Sequence, residues 1–178
     1  MPMDKFLRFK LIQTNQKKSI IQQTFKGKYD FLIAYTEESY WLSDRQFYQI
    51  LALKDGQWSS ITFASTRKKN GDFRIPTIRI NSFDNDKAQL LLNQMDQLDF
   101  WTLNSDSLNI TQRENPDSTA TTYTLSDGAN YKFEIMTTEG YKVIEAYEPE
   151  YFLEKLPEIK IRQKFINGRN IFKTALKN

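Results

Sequence analysis

The chain has 178 residues, with 25 Lys and Arg against 22 Asp and Glu, a formal net charge of +3. It contains no cysteine and no histidine. That excludes disulfides, the usual zinc, copper and haem ligand sets, and Ser-His-Asp or Cys-His catalysis. Mean hydropathy is -0.63, but aromatic residues make up 14% of the chain, enough large rings to build a core.

Residues 1–27 fit neither the helical nor the strand period throughout. Within them, Ser19 followed by Gln22 has capping-box spacing for a short helix through Phe25, which Gly27 would end. Tyr29, Phe31, Ile33 and Tyr35 then alternate as in a strand, with Asp30 and Ala34 on the other face. After the loop EESYWLSD, Phe47–Leu53 reads as a strongly apolar strand. Asp55-Gly56 is a two-residue hairpin signal leading into Trp58, Ile61 and Phe63. Asn70-Gly71 is a second such signal. It folds residues 61–68 back onto 73–80, where Ile75, Ile78 and Ile80 are expected to add apolar surface. Pro76 cannot donate a ladder hydrogen bond, so this strand is expected at an edge or at a bulge.

Asp84 or Asn85 can cap a helix over about 84–98, with Ala88, Leu91, Met95 and Leu98 on one face. Phe100-Trp101 at its end is expected to plug the gap between helix and sheet. Residues 104–119 are polar, carry the Asn115-Pro116 turn, and are the expected mobile loop. Segments 123–125, 131–136 and 141–147 form a meander that Pro149 closes. A last helix covers about 162–177, where Gly168 marks close packing or weakness. The pattern predicts one α+β domain over 1–178: an antiparallel twisted sheet of hairpins and meanders with a central and a C-terminal helix packed on it.

Charge is unevenly placed. Residues 1–29 and 155–178 each carry seven basic residues against one acid, while 88–154 carry three basic and twelve acidic residues. The basic ends suit nucleic acid or an anionic membrane. Neither forms a dense Lys/Arg block, so packing beside the acidic middle is expected instead and nucleic acid is the weaker alternative. Nothing here forms a membrane-spanning apolar run. The start, MPMDKFLRFKLIQ, lacks a signal-peptide apolar region, which points to the cytoplasm unless a leader has been removed.

Chemistry-bearing motifs are sparse. Asp127-Gly128 lacks the spaced acids of a calcium loop and reads as a turn. Asp84, Asp86, Glu145, Glu148, Glu150 and Glu154 read as caps and solvated faces, although carboxylate pairs, Ser-Lys dyads and oxygen-ligated Mg²⁺ or Ca²⁺ remain open chemistries. No cofactor is implied. The candidate partner-binding residues are Tyr40 and Trp41, interface-type aromatics in an acidic loop, and Arg67, Lys68 and Lys69 at a hairpin tip.

The segments FYQILALKDGQWSSITF, LLNQMDQLDFWTL, SDGANYKFEI and GYKVIEAYEPE resemble a broad group of uncharacterised bacterial proteins, many of them predicted envelope lipoproteins. The resemblance implies an antiparallel α+β fold and, for many members, export, and it carries over no catalytic residue. The lipid-attachment Cys and leader of that group are missing here. The expectation is therefore a non-enzymatic binding or accessory protein with a protein partner, an immunity-type protein being one form. An envelope protein with its leader removed is the alternative. No oligomeric state follows from the pattern.

Overall fold

The computed structural model describes residues 19–39, 44–66 and 74–177. Its centre is β1 (Phe31–Ser39), whose first six residues are all buried. A strand buried on both faces reads as a continuous apolar run rather than an alternation. Hence Leu32 and Ala34 are as buried as Phe31, Ile33 and Tyr35. The expected alternation survives as an alternation of faces from Phe31 on, with Phe31, Ile33 and Tyr35 on one side and Leu32 and Ala34 on the other, while Tyr29 and Asp30 precede the strand.

On one side of β1 lie β2 (Arg45–Lys54), β3 (Gln57–Thr66) and β4 (Thr77–Ser82). On the other lie β7 (Ala129–Thr137) and β8 (Tyr141–Tyr147). The six strands run β4-β3-β2-β1-β7-β8, with every neighbouring pair antiparallel. The β2–β3 hairpin closes as expected at Asp55-Gly56. Both turn residues have positive φ, 50° and 76°, the combination a type I′ turn requires. β4 begins only after Pro76 and forms an edge, as the proline implied.

Each sheet face has its own apolar cluster. Phe31, Ile33, Leu51, Leu53, Trp58, Phe133, Ile135 and Ile144 face α2 (Asn85–Gln97), a 3-10 turn over Phe100–Thr102, and α5 (Ile161–Ala175). Asp84 caps α2 by accepting from Lys87 N. Phe100 and Trp101 are buried in this cluster, and the Phe100 ring occupies the space that a Cβ on Gly168 would need. The opposite face packs Leu32, Ala34, Tyr48, Ile50, Ile61 and Phe63 against Ile20, Ile21 and Phe25 of α1 (Ile20–Phe25). Burying one such side chain stabilises by roughly 1.5–3 kcal/mol, so even this short helix is firmly seated.

The polar stretch after the 3-10 turn departs from its expected role as a loop. It holds α3 (Ser105–Leu108) and a small hairpin of β5 (Gln112–Glu114) and β6 (Ala120–Thr122). Residues 123–125 lie outside the sheet, so the meander has only β7 and β8 there. Pro149 does not simply stop the chain; it is the first residue of α4 (Pro149–Lys155), a position where the missing N–H costs nothing.

Candidate protein-docking edge

The sheet ends differently on its two sides. At β8, α3 lies along the strand and its side chains act as a substitute strand. Ser105 Oγ accepts from Glu145 N at 3.0 Å. Asn109 Oδ1 accepts from Tyr147 N at 2.9 Å, while its Nδ2 donates to Glu145 O at 3.1 Å. A fully buried Arg162 holds this arrangement from behind. Its guanidinium donates to Leu108 O at 2.9 Å, to Phe152 O at 3.0 Å and to Ile110 O. Leu108 closes α3 and Ile110 lies just beyond it, where intrahelical donors run out, while Phe152 O also accepts the helical bond from Leu156 N.

Among the described residues nothing covers β4 in this way, and all six of its residues are exposed. Phe83 N donates to Trp58 O at 2.9 Å, so odd-numbered residues turn their backbone toward β3. By the alternation of an antiparallel ladder, Ile78, Ile80 and Ser82 turn their N–H and C=O outward. Register sets the side chains. Ile80 lies beside Ile61 and Ile78 beside Phe63, so both isoleucines continue the apolar face under α1. They remain 56% and 38% exposed, respectively. Ile75, just before the strand, is exposed as well. The three isoleucines expected to add apolar surface thus do so on the outside of the sheet rather than in its buried clusters.

The other face of this corner is polar. Asn81 lines a groove of about 310 Å³ with Gln49, Ser60, Thr62 and the end of α5 at Leu176 and Lys177, and Arg79 sits beside Thr62. A second groove, about 430 Å³ and mainly apolar, runs between α2 and α5 past Leu90, Leu91 and Ile171.

Buried ionisable groups elsewhere are committed to the fold. Glu134, fully buried, accepts from Tyr48 OH at 3.1 Å, from Tyr141 OH at 2.6 Å and from Ser19 Oγ. Ser19 also caps α1 by accepting from Gln22 N. The carboxylate thus fastens α1 to the sheet, and neither groove reaches it. Arg169 pairs with Glu150 and lies 4.5 Å from the Tyr131 ring. Lys173 faces Glu37 at 3.7 Å and Lys164 meets Asp99 at 2.7 Å, so part of the C-terminal basic charge is matched within the chain. Among the described residues no group of three or more Asp or Glu is placed to hold a metal ion. No described helix is long and apolar enough to cross a membrane.

The residues singled out from sequence, Tyr40 and Trp41 between β1 and β2 and Arg67, Lys68 and Lys69 between β3 and β4, lie outside the described residues, as does the Asn70-Gly71 turn. The β4 edge was missed as a site. Its one sequence signal was Pro76.

No family model matches the sequence, and no curated protein matches it. Among solved structures, the crystal structure of a "putative adenylate cyclase" from Bacillus halodurans is similar over 80% of this chain and 82% of that one, at 13% identity and a TM-score of 0.21. A likeness at that score carries neither fold nor activity to this chain.

Proposed function

We propose that this chain is a non-enzymatic accessory protein that works through protein–protein contact, with β4 as the docking edge for an extended segment. The carrying observation is the contrast between the two edges of one sheet. β8 is sealed by the chain's own Ser105 and Asn109, while among the described residues nothing pairs with the outward backbone groups of β4 or covers its two isoleucines. Strand addition uses both features, with backbone hydrogen bonds for affinity and alternate side chains for selection. An immunity-type role, in which another protein is neutralised by being bound, is a finer form of this reading. The uneven charge along the chain supports it, since such fields speed association.

A photo-cross-linking amino acid placed at Asn81, in cells of the native host, tests the edge. The expected result is covalent protein adducts that disappear when Ile80→Pro removes an outward N–H. Adducts unaffected by Ile80→Pro, or none from Asn81, overturn the reading.

A further inference from the structure

We propose that the segment occupying β4 is the β4 of a second copy, paired antiparallel about a two-fold axis at Ile80, so that two sheets join into one. The inference rests on β4 being a docking edge. It comes from register, because strands joined edge to edge keep directly opposed side chains on the same face of the common sheet. Ile78, Ile80 and Ser82 share the α1 face, and Arg79 and Asn81 share the other. Only registers that set like-faced residues opposite one another are therefore open. Centring on Arg79 opposes two guanidinium groups. Centring on Ile80 sets Ile80 against Ile80, Ile78 against Ser82 and Arg79 against the neutral Asn81. The residues opposed on the α1 face in this register are the ones whose backbone N–H and C=O point outward, so each such pair exchanges both of its hydrogen bonds. Ile78 and Ile80 of the two copies then form one apolar row on the α1 face, covering side chains that are 38% and 56% exposed in the single chain.

Charge agrees with this register. Arg74 precedes β4, while Asp84 and Asp86 come after it. Antiparallel pairing brings the Arg74 end of one copy beside the acidic end of the other, twice by symmetry. Arg74 and Asp86 have no ion-pair partner among the described residues. Pro76 limits the ladder to Thr77–Ser82, so the contact is small. It falls in the class below about 1,200 Å², where association is weak and concentration-dependent.

Because the chain has no cysteine, single introduced cysteines read the register directly. Opposed residues of a hydrogen-bonded pair lie with Cα atoms about 5.5 Å apart, within disulfide range. Under mild oxidation Ile80→Cys is expected to cross-link to itself. Ile78→Cys and Ser82→Cys are each expected to stay uncross-linked alone and to cross-link when mixed. Leu90→Cys on α2 serves as the exposed control. Sedimentation velocity over a concentration series should show a monomer–dimer equilibrium, weakened at least tenfold by Ile80→Pro. Circular dichroism and thermal unfolding of that variant establish that it is folded. A chain that stays monomeric while Asn81 yields adducts with a different protein overturns the self-pairing and leaves the docking edge standing. A dimer that survives Ile80→Pro, or a mixed pair that fails to cross-link, overturns the self-pairing. If neither self-association nor any Asn81 adduct is found, both readings fall.

Discussion

At the β8 edge the backbone groups of Glu145 and Tyr147 are taken by Ser105 and Asn109, whereas at β4 those of Ile78, Ile80 and Ser82 face solvent. The two edges belong to one sheet and one chain, so the difference does not come from the ladder itself. It comes from the connecting segments on either side of α2. Between the 3-10 turn and β7 the chain has α3, whose four residues present a hydroxyl and, just beyond, an amide at the spacing of the strand. After β4 it turns at once into α2 through the Asp84 cap and leaves the edge bare. Closing an edge takes a few well-placed side chains, and the described residues supply them once. β4 keeps only the lighter protections, Pro76 and the charge of Arg79, which restrict pairing to selected registers rather than prevent it.

The largest effect is expected where the closed edge is anchored. Arg162→Ala removes charge-assisted hydrogen bonds to Leu108, Phe152 and Ile110 and leaves the Leu108 and Ile110 carbonyls without their donor, while Phe152 O keeps Leu156 N. The loss should be about 3–5 kcal/mol in denaturant unfolding, given roughly 1.5–3 kcal/mol per bond to a charged group with imperfect additivity. A loss under about 1 kcal/mol would mean that water replaces the guanidinium and that α3 does not depend on it. Asn109→Ala attacks the seal itself. It is expected to cost about 1–3 kcal/mol, and hydrogen exchange at the Tyr147 amide should rise while exchange in β1 stays unchanged. Equal acceleration in both places would show that the seal is not a local structure.

Local turn and cap chemistry was the legible part of this fold. Asp55-Gly56 specified its hairpin, Ser19 and Gln22 marked α1, and Asp84 marked α2, because each signal acts within a few residues of its effect. The two helices on the sheet were legible from spacing, and Phe100-Trp101 was read into the core, where it lies. Long-range polar pairing was not legible. Nothing near Asn109 announces that its amide will bond to Glu145 and Tyr147, and nothing near Glu134 announces Ser19, more than a hundred positions away. Pro149 follows the end of the meander as expected, but the helix that it also begins was not legible, because the same residue suits both roles. Of the candidate site only Pro76 pointed the right way. The exposure of Ile78 and Ile80 depends on how far α1 and α2 extend across the sheet, which no window of sequence contains.

Alkali separates the closed side of the sheet from the open one. Burial, and then Glu134, push the Tyr141 and Tyr48 hydroxyls well above the ordinary tyrosine range, while β4 contains no tyrosine. A group whose pKa is raised on folding stabilises fully below its unfolded value and loses that contribution as pH rises through the folded one. Here the loss begins near pH 10, roughly where unfolded tyrosines ionise. Tyr141→Phe should cost about 1 kcal/mol at neutral pH through the lost bond to Glu134. Its deficit should shrink above about pH 10, because the variant has one fewer tyrosine to ionise on unfolding. Denaturant unfolding at both pH values checks this. A deficit that grows in alkali would reverse the sign and detach Tyr141 from the Glu134 latch.

The smallest effect on the fold is expected at the open edge. A proline in place of Tyr147 would break the sealed edge of β8, but with Ile80→Pro in β4 the missing N–H is one that faces solvent. The isoleucine it replaces is already more than half exposed, at 56%. The expected change in unfolding free energy is therefore within about 1 kcal/mol, the lost side-chain burial being small and the fixed proline φ only mildly unfavourable in an edge strand. This near-neutrality carries weight because the same substitution is expected to abolish contact at β4. A residue whose change leaves the fold intact and removes association is set apart for contact, whereas Arg162 is set apart for the fold. If Ile80→Pro instead unfolds the chain as Arg162→Ala does, the N–H at Ile80 is already engaged within the molecule, and the two edges are closed alike.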